Sequence, residues 1–190
     1  KKPPAERLRL LRNARGAEPR FLWALLRDQF HYAAVHLHSV ADTARDVDLA
    51  MRWGFGMRQG PFELWQEAGW LQVAQWIQDD IQSGKALCAA PLPAWVFEGP
   101  VAQAGGVHTA DGSYSPASGR FVGLSSLAVY TRQLFRETVK GSPGPDPLKS
   151  GTELFRNEEL RAWTLDGDIV IASITAKLHL ISPAVGEGLA

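Results

Sequence analysis

The chain contains one cysteine, Cys88, which excludes an internal disulfide. Cys88 lies in the apolar run Ala86–Ala90 and reads as a small buried hydrophobe rather than a reactive thiol. No apolar run approaches the ~20 residues that a membrane-spanning helix needs. Lys1-Lys2 leads into proline and charge rather than an apolar core, so no secretory leader is expected. Excess charge of either sign is also missing. Lys+Arg and Asp+Glu stand at 20 each, which leaves no electrostatic footprint for nucleic acid or an anionic membrane. No fixed period repeats along the 190 residues. The expectation is a soluble protein of the reducing cytoplasm.

What is present is an aromatic corner. Asp46–Trp70 carries three tryptophans and two phenylalanines in 25 residues. Gly54 and Gly56 bracket Phe55, which stops one helix. Gly60-Pro61 opens the next, because proline at a first-turn position needs no N–H. Glu63 falls in that first turn, where the helix dipole favours an acid, and Gly69 ends the segment.

The flanking helices follow from periodicity. Leu22, Leu25, Leu26, Ala33, Leu37 and Val40 recur at helical spacing over 20–40 and predict a core stripe, widened by Phe21, Phe30 and Ala34. Thr43 and Asp46 form a capping-box-like start for a helix running to Trp53. A fourth helix is predicted from Leu71 to Ser83, burying Val73, Trp76, Ile77 and Ile81, with Gly84 closing it. Pro91-Leu92-Pro93 starts a short turn with Trp95 and Val96. Residues 98–123 read as loop with a hairpin at Asp111-Gly112. Leu124–Phe135 reads as a short helix or extended segment.

Residues 1–18, with Leu8, Leu10 and Leu11 set among arginines, read as a short helix or a linker, a solvated connector being the preferred reading. The main domain is expected over 19–139. Lys140–Ser150, with three prolines and two glycines, reads as a linker. Over 151–190 the character changes to β: Glu159–Thr164 alternates, Asp166-Gly167 signals a hairpin, and Asp168–Thr175 reads as a strand pairing with 152–164. Ser182-Pro183 caps a final helix. Two strands and a helix start cannot bury a core, so a truncated second domain is expected.

Catalytic constellations are sparse. No G-x-G-x-x-G occurs; Gly54-Phe55-Gly56 lacks the third glycine and follows a helix. His31, His36 and His38 share one predicted helix, with His36 about 140° from His31, which is poor spacing for a metal. His108 reads as a loop residue without ligands nearby. Asp46 and Asp48 face different sides of a helix, Asp79-Asp80 reads as a solvated face, and Glu158-Glu159 lies at a strand approach. None forms an acid/base pair. Ser125-Ser126 has no adjacent base and no nucleophile elbow.

The corner resembles a known family. Asp46-x-Asp48-x-Ala50-Met51-Arg52-Trp53-Gly54-Phe55-Gly56 followed by Gly60-Pro61-Phe62-Glu63-Leu64-Trp65 is similar to the C-terminal helical domain of 3-hydroxyacyl-CoA dehydrogenases, above all bacterial fusions with an enoyl-CoA hydratase. The resemblance runs from about Pro19 to Val139 and takes in Gly112–Pro116, Val129-Tyr130 and Arg132–Phe135. The tail Asp166–Ile174 resembles the opening strands of the crotonase fold. The resemblance implies a mainly α helical domain followed by a short β-hairpin tail.

It also implies a parent that oxidises 3-hydroxyacyl-CoA with NAD in fatty-acid β-oxidation, with the NAD-binding domain and catalytic residues in another part of the polypeptide. No cofactor or metal is expected on this segment. By position in the crotonase match, the Leu180 backbone N–H stands where the family has an oxyanion-hole donor, and Lys177 near the CoA approach. The implied partners are the parent's own NAD-binding and hydratase domains, acyl-CoA, and a second copy. A free-standing helical interaction module without catalytic role is the alternative reading.

Overall fold

The computed structural model describes residues 2–131, 138–139 and 150–190. These form two compact units, one over 2–131 with 138–139 and one over 150–190. The fold is mainly α, with two small three-stranded sheets. Most of the linker expected over 140–150, and Arg132–Phe135, lie outside the described residues.

The first unit opens with four helices: α1 Pro4–Asn13, α2 Ala17–Val40, α3 Ala44–Phe55 and α4 Pro61–Gln82. Of these, α3 and α4 begin at the signals read from the sequence, whereas α2 begins at Ala17, ahead of the expected residue 20. At α3, the Thr43 amide and hydroxyl both donate to Asp46 Oδ2, at 2.9 and 2.7 Å. Gly56 ends α3 in the left-handed region, at φ 63°. Gly69, at φ 104° and ψ 95°, kinks α4, so the break expected there is a bend within one element. The kink brings the Trp65 indole N–H within 2.9 Å of the Trp70 carbonyl.

The core runs along an aromatic column. Phe30 stacks on Trp65 at 5.7 Å, and Trp65 on Trp70 at 4.2 Å. Trp95, in the 3-10 turn Ala94–Val96, lies 6.1 Å from Trp70 and 5.0 Å from Tyr114. Flat rings offset in this way gain quadrupole attraction beyond the area they bury. The Trp70 indole donates to the Val96 carbonyl at 2.9 Å, so its polar atom is not stranded.

The core stripe of α2 is rotated from the expected one. Trp23, Phe30, Ala33, Ala34 and Leu37 are buried, whereas Phe21, Leu22, Leu25 and Val40 are exposed. Arg27 occupies a buried turn of the stripe because Asp80 of α4 faces it. A polar pair at the helix contact thereby displaced the apolar phase that hydrophobicity alone predicts.

The solvated connector expected over 1–18 is corrected. Leu8 of α1 is buried in the core, and Arg12 NH2 sits 3.0 Å from Asp80 Oδ1. The amphipathic spacing of Leu8 and Leu11 supplies the contact, which the surrounding arginines mask in composition. Downstream, the expected loop is structured. The helix α5 Gly99–Ala104 leads into an antiparallel meander of β1 His108–Thr109, β2 Gly112–Ser115 and β3 Arg120–Val122. The short helix α6 Ala128–Thr131 follows.

The second unit is an antiparallel meander of β4 Thr152–Arg156, β5 Leu160–Thr164 and β6 Ile171–Ile174, in that order. It closes with a 3-10 turn, Lys177–His179, and α7 Pro183–Leu189. The Ser182 hydroxyl caps α7 by accepting from the Val185 amide at 3.3 Å. The expectation that this segment buries no core is corrected: Leu160, Ala176 and Val185 form a small one. A third strand, β4, and the docking of Asn157 onto the Ala184 carbonyl at 2.6 Å make that possible.

Because Leu8 of α1 is buried in the core, Leu8→Ala lowers the free energy of unfolding by about 2–4 kcal/mol, while exposed Leu10→Ala changes it by less than ~0.5 kcal/mol. Urea unfolding of both variants followed by tryptophan fluorescence checks this; equal effects would return α1 to a connector.

Candidate functional site

The most concentrated polar chemistry lies where α3, α4 and the β1–β2 hairpin meet. Asp48 of α3 is fully buried. Its Oδ1 accepts from the Phe62 amide at 2.9 Å and its Oδ2 from the Glu63 amide at 3.0 Å. These are two of the first amides of α4, which have no partner within their own helix. A carboxylate from a neighbouring helix therefore caps α4, where the dipole also favours negative charge.

Asp48 Oδ2 also lies 2.7 Å from His108 Nε2, and His108 Nδ1 lies 2.8 Å from the Ser113 hydroxyl. A carboxylate can only accept, so Nε2 donates to it, and Nδ1 faces the Ser113 hydroxyl. Gln66 of α4 clamps the same strand: its side chain donates to the His108 carbonyl at 2.8 Å and accepts from the His108 amide at 2.9 Å. Glu63 accepts from the Gly60 amide at 2.9 Å and lies 3.4 Å from Arg52 NH1. Arg52 in turn donates to the Thr138 carbonyl at 3.1 Å. Gly60 admits this geometry, since a Cβ there would collide with Asp48 Cα and Cβ.

Burial pushes the Asp48 carboxyl above the ordinary aspartate value, while the hydrogen bonds from His108 and the Phe62 amide pull it back. A raised folded value means that ionisation costs the folded state. That cost is present above the folded pKa and disappears as pH falls below 3.8.

Ser113, His108 and Asp48 are joined in the order of a nucleophilic triad. Their placement opposes that chemistry. Ser113 is fully buried, at 0% accessible, and both Asp48 oxygens are held by α4 amides. The arrangement is suited to fixing three elements against one another, not to attacking a carbonyl.

A second polar node joins α1, α2 and α4. Asp80 Oδ2 accepts from the Trp23 indole at 2.8 Å and from Arg27 Nη1 at 3.2 Å. The solvated face expected for Asp79-Asp80 is thus corrected at Asp80, which is 1% exposed. His108 is likewise corrected, from an unpartnered loop residue to the centre of the first node.

Other sequence candidates stay apart. His31 is buried with Nε2 2.8 Å from the Ala90 carbonyl, His36 packs on Tyr32 with ring centres 4.3 Å apart, and His38 is exposed. No group of three or more metal-ligating side chains occurs among the described residues. Cys88 is exposed, which corrects its expected burial: the chain after Gly84 runs over the surface of α2. Ser125 accepts from the Leu127 amide at 3.3 Å. In the second unit Lys177 and Leu180 are both exposed around the 3-10 turn, where Leu178 and His179 hold positive φ of 60° and 53°. No helix among the described residues is long and apolar enough to cross a membrane.

The chain is similar to a protein described as "Probable 3-hydroxyacyl-CoA dehydrogenase" from Bacillus subtilis (strain 168), with 34% identity over 79 residues. The matched stretch is 42% of this chain and 9% of that protein, so the chain spans a small part of the relative. No family model and no solved structure matches the chain.

The buried node predicts a stability phenotype without a catalytic one. His108→Ala leaves the Asp48 carboxylate without its side-chain partner and should cost about 3–5 kcal/mol, whereas Ser113→Ala should cost about 1 kcal/mol. Thermal unfolding of both variants, with p-nitrophenyl acetate hydrolysis as the second readout, tests the assignment. Esterase activity in the parent chain that is lost in Ser113→Ala would overturn it.

Proposed function

We propose that this chain is a helical, non-catalytic part of a 3-hydroxyacyl-CoA dehydrogenase that acts in fatty-acid β-oxidation. The 34% identity over 79 residues carries the reading. Two features support it. No dinucleotide fingerprint occurs in the chain, and the densest polar cluster, Asp48–His108–Ser113, is buried and engaged in capping. In this reading NAD is bound by another domain of the parent, which oxidises 3-hydroxyacyl-CoA in the cytoplasm. The parent is also fused to an enoyl-CoA hydratase, whose first strands are β4–β6. Lys177 and the Leu180 amide then lie toward the CoA and thioester of that half.

The helical unit works by association with the parent's other domains or a second copy. Its surface suits that role: Trp53 and Phe55 at the end of α3 are 66% and 76% exposed, and Phe21, Leu25 and Tyr32 are exposed along α2. A free-standing interaction module would use the same surfaces, and the coding sequence separates the two. A G-x-G-x-x-G after a strand in the same reading frame selects the dehydrogenase.

For the purified 190-residue chain, calorimetry should detect no NAD binding at micromolar concentration. Micromolar affinity for NAD would refute the assignment of the cofactor to another domain.

A further inference from the structure

A groove of about 650 Å³ opens in the first unit between the start of α1, the middle of α2 and the turn into α4. Leu26, Met57, Pro61 and Leu64 give it an apolar lining. Its charged lining residues are Lys2, Arg7, Arg58 and Glu67, three cations against one anion. Lys2 pairs with Glu6, and Glu67 accepts from the Gln59 side chain at 2.5 Å. Arg7 and Arg58 make no ion pair or side-chain hydrogen bond among the described residues, and both are exposed.

The first turn of α4 also borders the groove through Gly60 and Pro61. It offers a ligand no free amide, because Pro61 has none and the Phe62 and Glu63 amides are held by Asp48. Recognition of an anion therefore falls to the two guanidinium groups, while the Leu26–Leu64 floor receives an apolar body. The volume lies within the ~300–1,000 Å³ of small-molecule sites.

We infer that this groove binds a single-chain amphiphile with an anionic head, the head paired with Arg7 and Arg58 and the chain laid over Leu26, Pro61 and Leu64. Charge complementarity selects this occupant over a neutral one: guanidinium forks match carboxylate and phosphate oxygens two at a time. The inference does not depend on the enzyme family, since it uses only the groove and its two uncompensated cations.

Isothermal titration of the full chain with decanoate below its micelle concentration tests it. Saturable one-site binding is expected, weakened about tenfold or more in Arg7→Gln/Arg58→Gln. Both arginines are exposed, so the variant should keep its fold; circular dichroism verifies this. Decyl phosphate in place of decanoate should also bind and identifies the preferred head. Absence of decanoate and decyl phosphate binding, equal affinity of the double variant, equal binding of octyl glucoside, or equal binding of inorganic phosphate alone would each overturn the inference.

Discussion

A carboxylate taken out of water needs donors for its oxygens, and Asp48 has three: the Phe62 amide, the Glu63 amide and His108. Each donor sits on a different piece of chain from Asp48 itself. Satisfying the charge therefore fixes where α4 begins, how closely α3 crosses it, and where β1 lies. Gly60 belongs to the same constraint, because only a residue without Cβ lets Asp48 approach the N-terminus of α4. An unpaired carboxylate at this depth would cost several kcal/mol, so each of the three contacts stabilises the docking of the others.

The aromatic column depends on that docking. Phe62 and Trp65 follow directly from the capped turn, and the Gly69 kink sets Trp70 against Trp65. Both indole N–H groups of this pair end on backbone carbonyls, so large rings are buried without stranded polar atoms. Asp80 repeats the logic at the other end of α4 by collecting Trp23, Arg27 and Arg12 from two helices. Two buried acids thus pin α4 at both ends, while apolar packing fills the space between them.

That arrangement bears on function. A histidine hydrogen-bonded to an aspartate and a serine is here buried, with the aspartate also holding two amides of α4. The surfaces left for interaction are of other kinds. They are the exposed aromatics at the end of α3 and along α2, and the arginine-rimmed groove near α1.

Local rules carried much of the way. The capping box at Thr43–Asp46, the Gly56 stop, the Gly60-Pro61 start with an acid in the first turn, and the turn at Asp111-Gly112 depend on neighbours a few residues apart, so they were legible in the chain. The buried nodes were not. Asp48 meets His108 across 60 residues and Asp80 meets Arg27 across 53, with no periodicity or motif to announce either pairing. Those contacts also rotated α2, drew α1 into the core and turned a presumed loop histidine into the centre of a network. The sequence by itself determined the starts of α3 and α4 and the stop at Gly56, because those are short-range backbone preferences. The tertiary structure alone decided which charges are buried, because a buried charge is tolerated only beside donors that folding brings to it.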